Sequence, residues 1–305
     1  MGLAQKEKQT ESAVKPAPSK RGRAAEETTM SILRLWLSTL KSTVTNIGAL
    51  ATFAIIYAIL LATFFRFIWI REATVWQVLF TFAFIILIPV EFFIFQAAII
   101  NRVRDQRFRW RAILIDAVKL LVATIPVLLV AWLLSYLLNK LAVRFPAPAL
   151  PALPVTQGPP KPAPLHWPSL LFTTLKFVLW GVATPLIALH LWIAIAGGEL
   201  RSMFATEPFL KKIGMALARA FSADSILIYA LGLIIFFLLP YVVLVPVITI
   251  KGNKTEFGLF ILRLLVAAVF GLLGWVVTVS ALTKNEAQVV PVVLPLSPAS
   301  AEATA

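Results

Sequence analysis

Residues 75–100 read VWQVLFTFAFIILIPVEFFIFQAAII, a run of 26 residues whose only ionisable side chain is that of Glu91. An α-helix needs about 20 mostly apolar residues to cross the hydrocarbon layer of a bilayer, which is about 30 Å thick. At 1.5 Å per residue this run forms a helix about 39 Å long. The stretch therefore predicts a transmembrane helix that is long enough to tilt.

Five further stretches meet the same length requirement, and the composition of the whole chain agrees with them. The 305 residues are 60% hydrophobic and 14% charged, whereas soluble domains are about 45–50% apolar and about 25% charged. The predicted fold is therefore an all-α integral membrane protein, a bundle of about six transmembrane helices. The predicted spans are residues 47–65, 75–100, 112–138, 168–196, 225–250 and 257–283.

The segments outside the predicted spans divide the chain into a membrane domain and two terminal tails. Residues 1–29 and 285–305 lack apolar periodicity, which is typical of disordered tails, and they flank a membrane domain of residues 30–284. Residues 145–168 contain nine of the 20 prolines, a density that forbids regular helix and favours an extended loop. Residues 31–45 and 207–221 alternate apolar and polar side chains at helical spacing, which predicts amphipathic helices lying in the headgroup region.

Basic residues indicate the orientation of the bundle. Of the 28 Lys and Arg residues, 18 fall on the side that carries both termini, seven fall on the other side, and three lie within spans. Because Lys and Arg accumulate in loops that remain in the cytoplasm, both termini are expected there. We expect a multi-pass protein of a cell membrane, specifically the cytoplasmic (inner) membrane of a bacterium.

Ionisable groups within spans are costly and are the first places to search for a function. Glu91 lies deep in the second span, two residues after Pro89, which removes a backbone hydrogen bond and bends the helix. Lys119 and His190 lie at similar depths on the third and fourth spans, and Asp116 is one turn from Lys119. This pattern predicts a polar cluster within the membrane in which Glu91 pairs with Lys119 or His190, and its role is either structural or functional.

A second group of side chains faces the bilayer surface. Basic residues alternate with aromatic ones just before the third span, and two lysines lie on the second amphipathic helix, an arrangement that favours anionic lipid headgroups over nucleic acid. The predicted headgroup-binding residues are Arg102, Arg104, Arg107, Arg109, Arg111, Lys211 and Lys212.

The residue types exclude several kinds of chemistry. There is no cysteine, which rules out thiolate catalysis and cysteine-ligated metals, and there are only two histidines, His166 and His190. The chain has no sequence signature of a nucleotide-binding loop or of a hydrolase. We therefore expect neither a metal nor a cofactor nor an enzymatic activity.

Three functions are compatible with this pattern. Long polar tails and scarce polarity within the membrane favour a non-enzymatic scaffold or accessory subunit that binds the bilayer and an unidentified membrane protein. Glu91 beside Pro89, together with further prolines in the spans, favours instead a small transporter or channel that uses Glu91 with Lys119 or His190. An enzyme acting within the membrane is the most distant alternative.

The orientation is directly testable with reporter fusions. A reporter that is active only outside the cytoplasm should be inactive when fused after Ala305 and active when inserted after Gln157, in the proline-rich loop. Activity after Ala305 together with inactivity after Gln157 would reverse the predicted topology.

Overall fold

The computed structural model of the chain describes residues 20–70, 74–146, 166–196, 206–245 and 253–289. All elements in these ranges are helices. Ten α-helices follow in chain order: α1 (Lys20–Thr45), α2 (Ile47–Ile68), α3 (Val75–Asp105), α4 (Trp110–Ala142), α5 (Trp167–Val178), α6 (Thr184–Ile195), α7 (Thr206–Ala220), α8 (Ala223–Leu233), α9 (Leu239–Leu244) and α10 (Asn253–Val289).

Short π-helical segments join two pairs of these helices into longer rods. Leu179–Ala183 connects α5 to α6, and Ile234–Leu238 connects α8 to α9. With each pair counted as one rod, six helices of the described residues are long and apolar enough to cross a membrane: Ile47–Ile68, Val75–Asp105, Trp110–Ala142, Trp167–Ile195, Ala223–Leu244 and Lys254–Gln288. The six-helix membrane bundle expected from the sequence is confirmed.

The helices extend further than the apolar runs that predict them. Helix α1 begins at Lys20, inside the segment of residues 1–29 that was expected to be a disordered tail, and residues 20–29 are rich in the strong helix formers Ala, Glu, Arg and Lys. Likewise α10 continues to Val289, beyond the expected start of the second tail. Residues 1–19 and 290–305, and residues 147–165 of the proline-rich loop, lie outside the described residues.

Both ends of the membrane domain lie on the same side of the bundle. Helix α1 packs along α10, and the Lys284 ammonium lies 3.3 Å from the Thr39 hydroxyl and 3.4 Å from the Ser42 hydroxyl. We call this side the basic end. It contains α1 and α7, the C-terminal ends of α3, α6 and α10, and the N-terminal end of α4.

Burial is concentrated towards the basic end. On α3 the residues from Phe95 to Asn101 are all buried, whereas most of the first half of the helix is exposed on the protein surface. Helix α10 follows the same pattern, with residues 276–283 buried and residues 254–262 almost all exposed. The helices therefore pack most tightly at the end that also carries the polar residues.

Helix α6 shows how a proline break is compensated. Pro185 has no N–H and cannot bond the carbonyl of Gly181, four residues earlier. The Tyr229 hydroxyl of α8 donates a hydrogen bond of 2.8 Å to that carbonyl. The freed acceptor thus links the fourth span to the fifth, in agreement with the rule that π segments and prolines in membrane helices are satisfied by neighbouring helices.

Two glycines allow α10 to approach the fifth span closely. A Cβ atom added at Gly274 would lie 2.7 Å from the backbone nitrogen of Phe236, and one added at Gly232 would lie 1.9 Å from the Thr278 hydroxyl oxygen. Small residues at such crossings bring backbones together, which is the usual way that helices associate in lipid.

Gly274→Ala should therefore destabilise the bundle, because the new methyl group meets backbone that cannot rotate away. We expect a loss of about 1–3 kcal/mol, the usual cost of overpacking, measured by thermal unfolding in detergent. The matched control is Gly258→Ala on the same helix, where an added Cβ meets nothing within 4 Å. A loss at Gly258 equal to that at Gly274 would contradict the close crossing.

Candidate functional site

A buried polar cluster joins α3 to α4 near the basic end. The Asn101 side-chain amide donates to Asp116 Oδ2 at 2.9 Å, and the Lys119 ammonium lies 2.7 Å from Asp116 Oδ1. All three side chains are at most 5% exposed. Opposite charges at this distance, with an amide bonding the same carboxylate, offset part of the cost of burying both ions. Asp116 and Lys119 are thus brought together as the sequence suggested.

Glu91 does not join this cluster. Its Oε1 accepts a hydrogen bond of 3.0 Å from the Thr63 hydroxyl on α2, and its Oε2 is buried with no hydrogen-bond partner among the described residues. None of the ion pairs in the described part of the chain joins Glu91 to Lys119 or His190. The expected pairing of Glu91 is therefore wrong.

The register between α3 and α4 gives the physical reason. The Asn101–Asp116 hydrogen bond sets these two residues at the same level of an antiparallel pair. The residue opposite Glu91 is then near Pro126, and Lys119 lies about seven residues, or about 10 Å, closer to the basic end. Depths estimated from the ends of apolar runs missed this offset, since both helices extend beyond those ends.

His190 belongs to a second cluster, built from α6, α7 and α10. Its Nδ1 lies 3.9 Å from Glu286 Oε1, and the same oxygen accepts a short hydrogen bond from Arg219. His190 and Glu286 are 2% and 6% exposed. Within the described ranges neither ring nitrogen of His190 has a hydrogen-bond partner. The second carboxylate oxygen of Glu286, Oε2, has none either. The cluster therefore keeps donor and acceptor atoms that the described part of the chain leaves without hydrogen bonds.

A cavity of about 810 Å³ lies beside this second cluster at the basic end. Arg104, Lys212, Arg219 and Lys284 line it together with Glu286, so cations outnumber carboxylates in the lining. We call it the basic cavity. Its charge favours anionic groups, and its position matches the side that the sequence assigns to lipid headgroups.

The seven predicted headgroup-binding residues differ in their contacts and in their exposure in the structure. The Arg104 guanidinium donates to the carbonyls of Ile193 and Ala196, so it caps the C-terminus of α6. Arg109 pairs with Asp105 at 3.7 Å on the surface. The side chains of Arg107, Arg111 and Lys211 are exposed, and those of Arg102 and Lys212 are half-buried.

A second large cavity, of about 630 Å³, lies in the apolar part of the bundle. Pro89, Pro185, Trp192 and Trp275 are among its lining residues, and only Thr124 and Thr184 add hydroxyl groups. The Thr124 hydroxyl accepts a hydrogen bond of 2.7 Å from the Trp192 indole. Neither Glu91, Lys119 nor His190 lines this cavity, so the three do not converge on it.

Sequence reasoning missed Arg219 and Glu286 as site residues. Glu286 falls in the segment read as a tail, and Arg219 falls on an amphipathic helix whose charges look solvated. Tyr229 was also missed, although one signal was present. Pro185 frees the Gly181 carbonyl, and a freed carbonyl within a span requires a donor on a neighbouring helix.

Comparisons with protein-family models, with curated proteins and with solved structures find no match to this chain. The function has to be argued from the site itself. Within the described residues no group of three or more His, Cys, Asp or Glu side chains lies close enough to hold a metal ion.

The buried Asp116–Lys119 pair should be strongly coupled. Asp116→Asn and Lys119→Met should each destabilise the protein by about 3 kcal/mol, because each change removes one charge of a buried pair. The double variant should lose clearly less than the sum. Thermal unfolding of the four proteins in detergent measures the coupling.

The exposed Arg109–Asp105 pair provides the control for this cycle. Its side chains are 67% and 35% exposed, so the same cycle with Asp105→Asn and Arg109→Gln should give a coupling below about 1 kcal/mol. Equal coupling in the two pairs would contradict the structural role assigned to Asp116 and Lys119.

Proposed function

We propose that this protein is a non-enzymatic, multi-pass membrane protein that works by binding, as a scaffold or accessory subunit of a membrane assembly. The observation that carries the proposal is the way in which polar groups inside the membrane are used. Asp116, Lys119 and Asn101 bond one another, and Glu91 bonds a different helix. A transport site requires these groups to converge on a shared, water-filled path, and they do not.

The proposed partners are anionic lipid headgroups at the basic end and a second membrane protein along the lipid-facing helices. Support for the first comes from the basic cavity and from the exposed side chains of Arg107, Arg111 and Lys211. Support for the second comes from large apolar side chains that the bundle leaves outside its core, such as Leu129 and Trp132 on α4, each 61% exposed. Lipid covers such side chains as readily as protein does, so the second partner requires a direct test.

We further propose that the basic end faces the cytoplasm and that the membrane is a bacterial cytoplasmic membrane. The excess of Lys and Arg on the side of both termini supports this orientation. Membrane surfaces on the cytoplasmic side carry anionic lipids, which attract basic segments lying close to the surface.

A small transporter is the second candidate, and one specific observation favours it. His190 and Glu286 are buried ionisable groups with unused hydrogen-bonding atoms, and Glu286 lines the basic cavity. The adjoining fourth and fifth spans both contain a π segment followed by a proline. A transporter of this kind would use His190 with Glu286, rather than Glu91 with Lys119. An enzyme is not favoured, because no Ser or Thr hydroxyl bonds His190 within the described residues.

Proteoliposomes separate the two candidates. With a scaffold, vesicles that contain the purified protein and an entrapped pH-sensitive dye should collapse an imposed proton gradient no faster than empty vesicles do. A transporter predicts faster collapse that Glu286→Gln abolishes while the protein remains folded. Such a result would overturn the scaffold proposal.

A second experiment tests directly for a protein partner by photo-crosslinking in the native membrane. A photoreactive residue at Trp132 should give one adduct of defined mass with another membrane protein, whereas the same group at the adjacent Ala131, 3% exposed, should not. Adducts with lipid alone at Trp132 would argue against a protein partner on this face.

A further inference from the structure

A small polar recess of about 140 Å³ lies at the basic end, between α1, α2, α3 and α10. Its lining includes two cations, Arg102 and Lys284, and no Asp or Glu. Two like charges in one recess repel each other unless an anion lies between them. The recess is distinct from the larger basic cavity, although Lys284 borders both.

Arg102 is held in place by aromatic residues rather than by a carboxylate. Its guanidinium lies over the Phe108 ring, 5.7 Å from the centroid, and Phe108 packs edge-on against Phe53, which lines the recess. The Nη1 atom of Arg102 is buried and has no hydrogen-bond partner among the described residues. A fixed, buried guanidinium nitrogen with an unused proton is suited to bind an oxyanion.

Hydroxyl groups complete the lining. The Lys284 ammonium points towards the hydroxyls of Thr39 and Ser42 on α1, and Ser280 lies one turn before Lys284 on α10. The Ser42 hydroxyl donates to the Thr39 carbonyl at 2.9 Å in the structure, and hydroxyl groups rotate to donate elsewhere when another acceptor is present. The recess also contains Asn46, the N-cap of the 22-residue helix α2, whose N-terminal dipole favours negative charge.

From this combination we infer that the recess is a binding site for a phosphate group of the monoester type. Four kinds of donor converge there: a guanidinium, an ammonium, hydroxyls and a helix N-terminus. A phosphomonoester carries a charge of about −1.5 to −2 at pH 7 and so matches two cations, whereas a phosphodiester carries about −1. The volume accepts a phosphate with a few waters, each of which occupies about 30 Å³ in the liquid.

The same chemistry is offered by a lipid with a terminal phosphate and by free inorganic phosphate. The recess lies beside the amphipathic helix α1, which suits the depth of lipid headgroups. The inference deepens the headgroup binding of the proposed function and rests on it only for the lipid source. Binding is measured in detergent, so its failure would leave the vesicle and crosslinking tests unaffected.

The experiment titrates the full-length protein in detergent with three probes: short-chain phosphatidic acid, short-chain phosphatidylglycerol and inorganic phosphate. The rise in Tm with ligand concentration gives an apparent Kd for each. We expect phosphatidic acid to bind at least about tenfold more tightly than phosphatidylglycerol. Competition by inorganic phosphate assigns the site to the phosphate group itself, and a lack of competition assigns it to the complete lipid.

Two variants locate the binding. Arg102→Gln and Lys284→Gln should each weaken phosphatidic acid by about tenfold or more, since each removes a charge-assisted hydrogen bond. Lys41→Gln is the matched control, because Lys41 is an exposed cation on α1 next to Ser42 but does not line the recess. If Arg102→Gln unfolds the protein, the single variants Ser280→Ala and Lys284→Gln, both on α10, test the same recess.

Three results would overturn the inference. The first is that neither phosphatidic acid nor inorganic phosphate raises the Tm. The second is an equal loss of affinity in the Lys41→Gln control and in the Lys284→Gln variant, which would indicate a diffuse basic surface. The third is equal binding of phosphatidylglycerol and phosphatidic acid, which would contradict the monoester.

Discussion

A polar group that enters the hydrocarbon layer without a partner costs several kcal/mol, and this cost determines how the helices of this protein meet. Asp116 lies between a lysine of its own helix and an asparagine of α3. The Gly181 carbonyl, released by Pro185, receives the Tyr229 hydroxyl, and Arg104 satisfies carbonyls at the end of α6. Each contact fixes the register of two helices, and together they explain why the packing is tightest where the polar residues are.

The sequence predicts the six spans because span formation depends on apolar length alone, a property that can be read locally. It does not predict partners, because these depend on which helix faces meet. Glu91 and Lys119 illustrate the difference, since their estimated depths agree and yet the Asn101–Asp116 bond displaces them by about 10 Å. The sequence predicts a contact only where a residue leaves a backbone group without its usual hydrogen bond, as Pro185 does to the carbonyl of Gly181.

Helix ends, like helix partners, are not predicted by the apolar runs of the sequence. An apolar run ends where charge begins, but a helix continues as long as its residues favour helix. For this reason α10 runs past the end of the apolar run and carries Glu286 into contact with Arg219, and α1 begins well before the interfacial segment. The second polar cluster was thereby hidden, because one of its members was counted with a tail.

The two polar clusters differ in what they permit. A carrier needs two arrangements of similar free energy, and separating Asn101 on α3 from Asp116 on α4 would take a hydrogen bond from a buried carboxylate, so α3 and α4 are expected to move as one unit. The contact between His190 and Glu286 is looser, at 3.9 Å, and joins α6 to α10 beside the basic cavity. Glu286 is itself bonded by Arg219 of α7, so the more weakly held contact is the one between α6 and α10. An anion bound at Lys284, two residues before Glu286 on α10, would lie next to that contact, which connects headgroup binding to the packing of the helices.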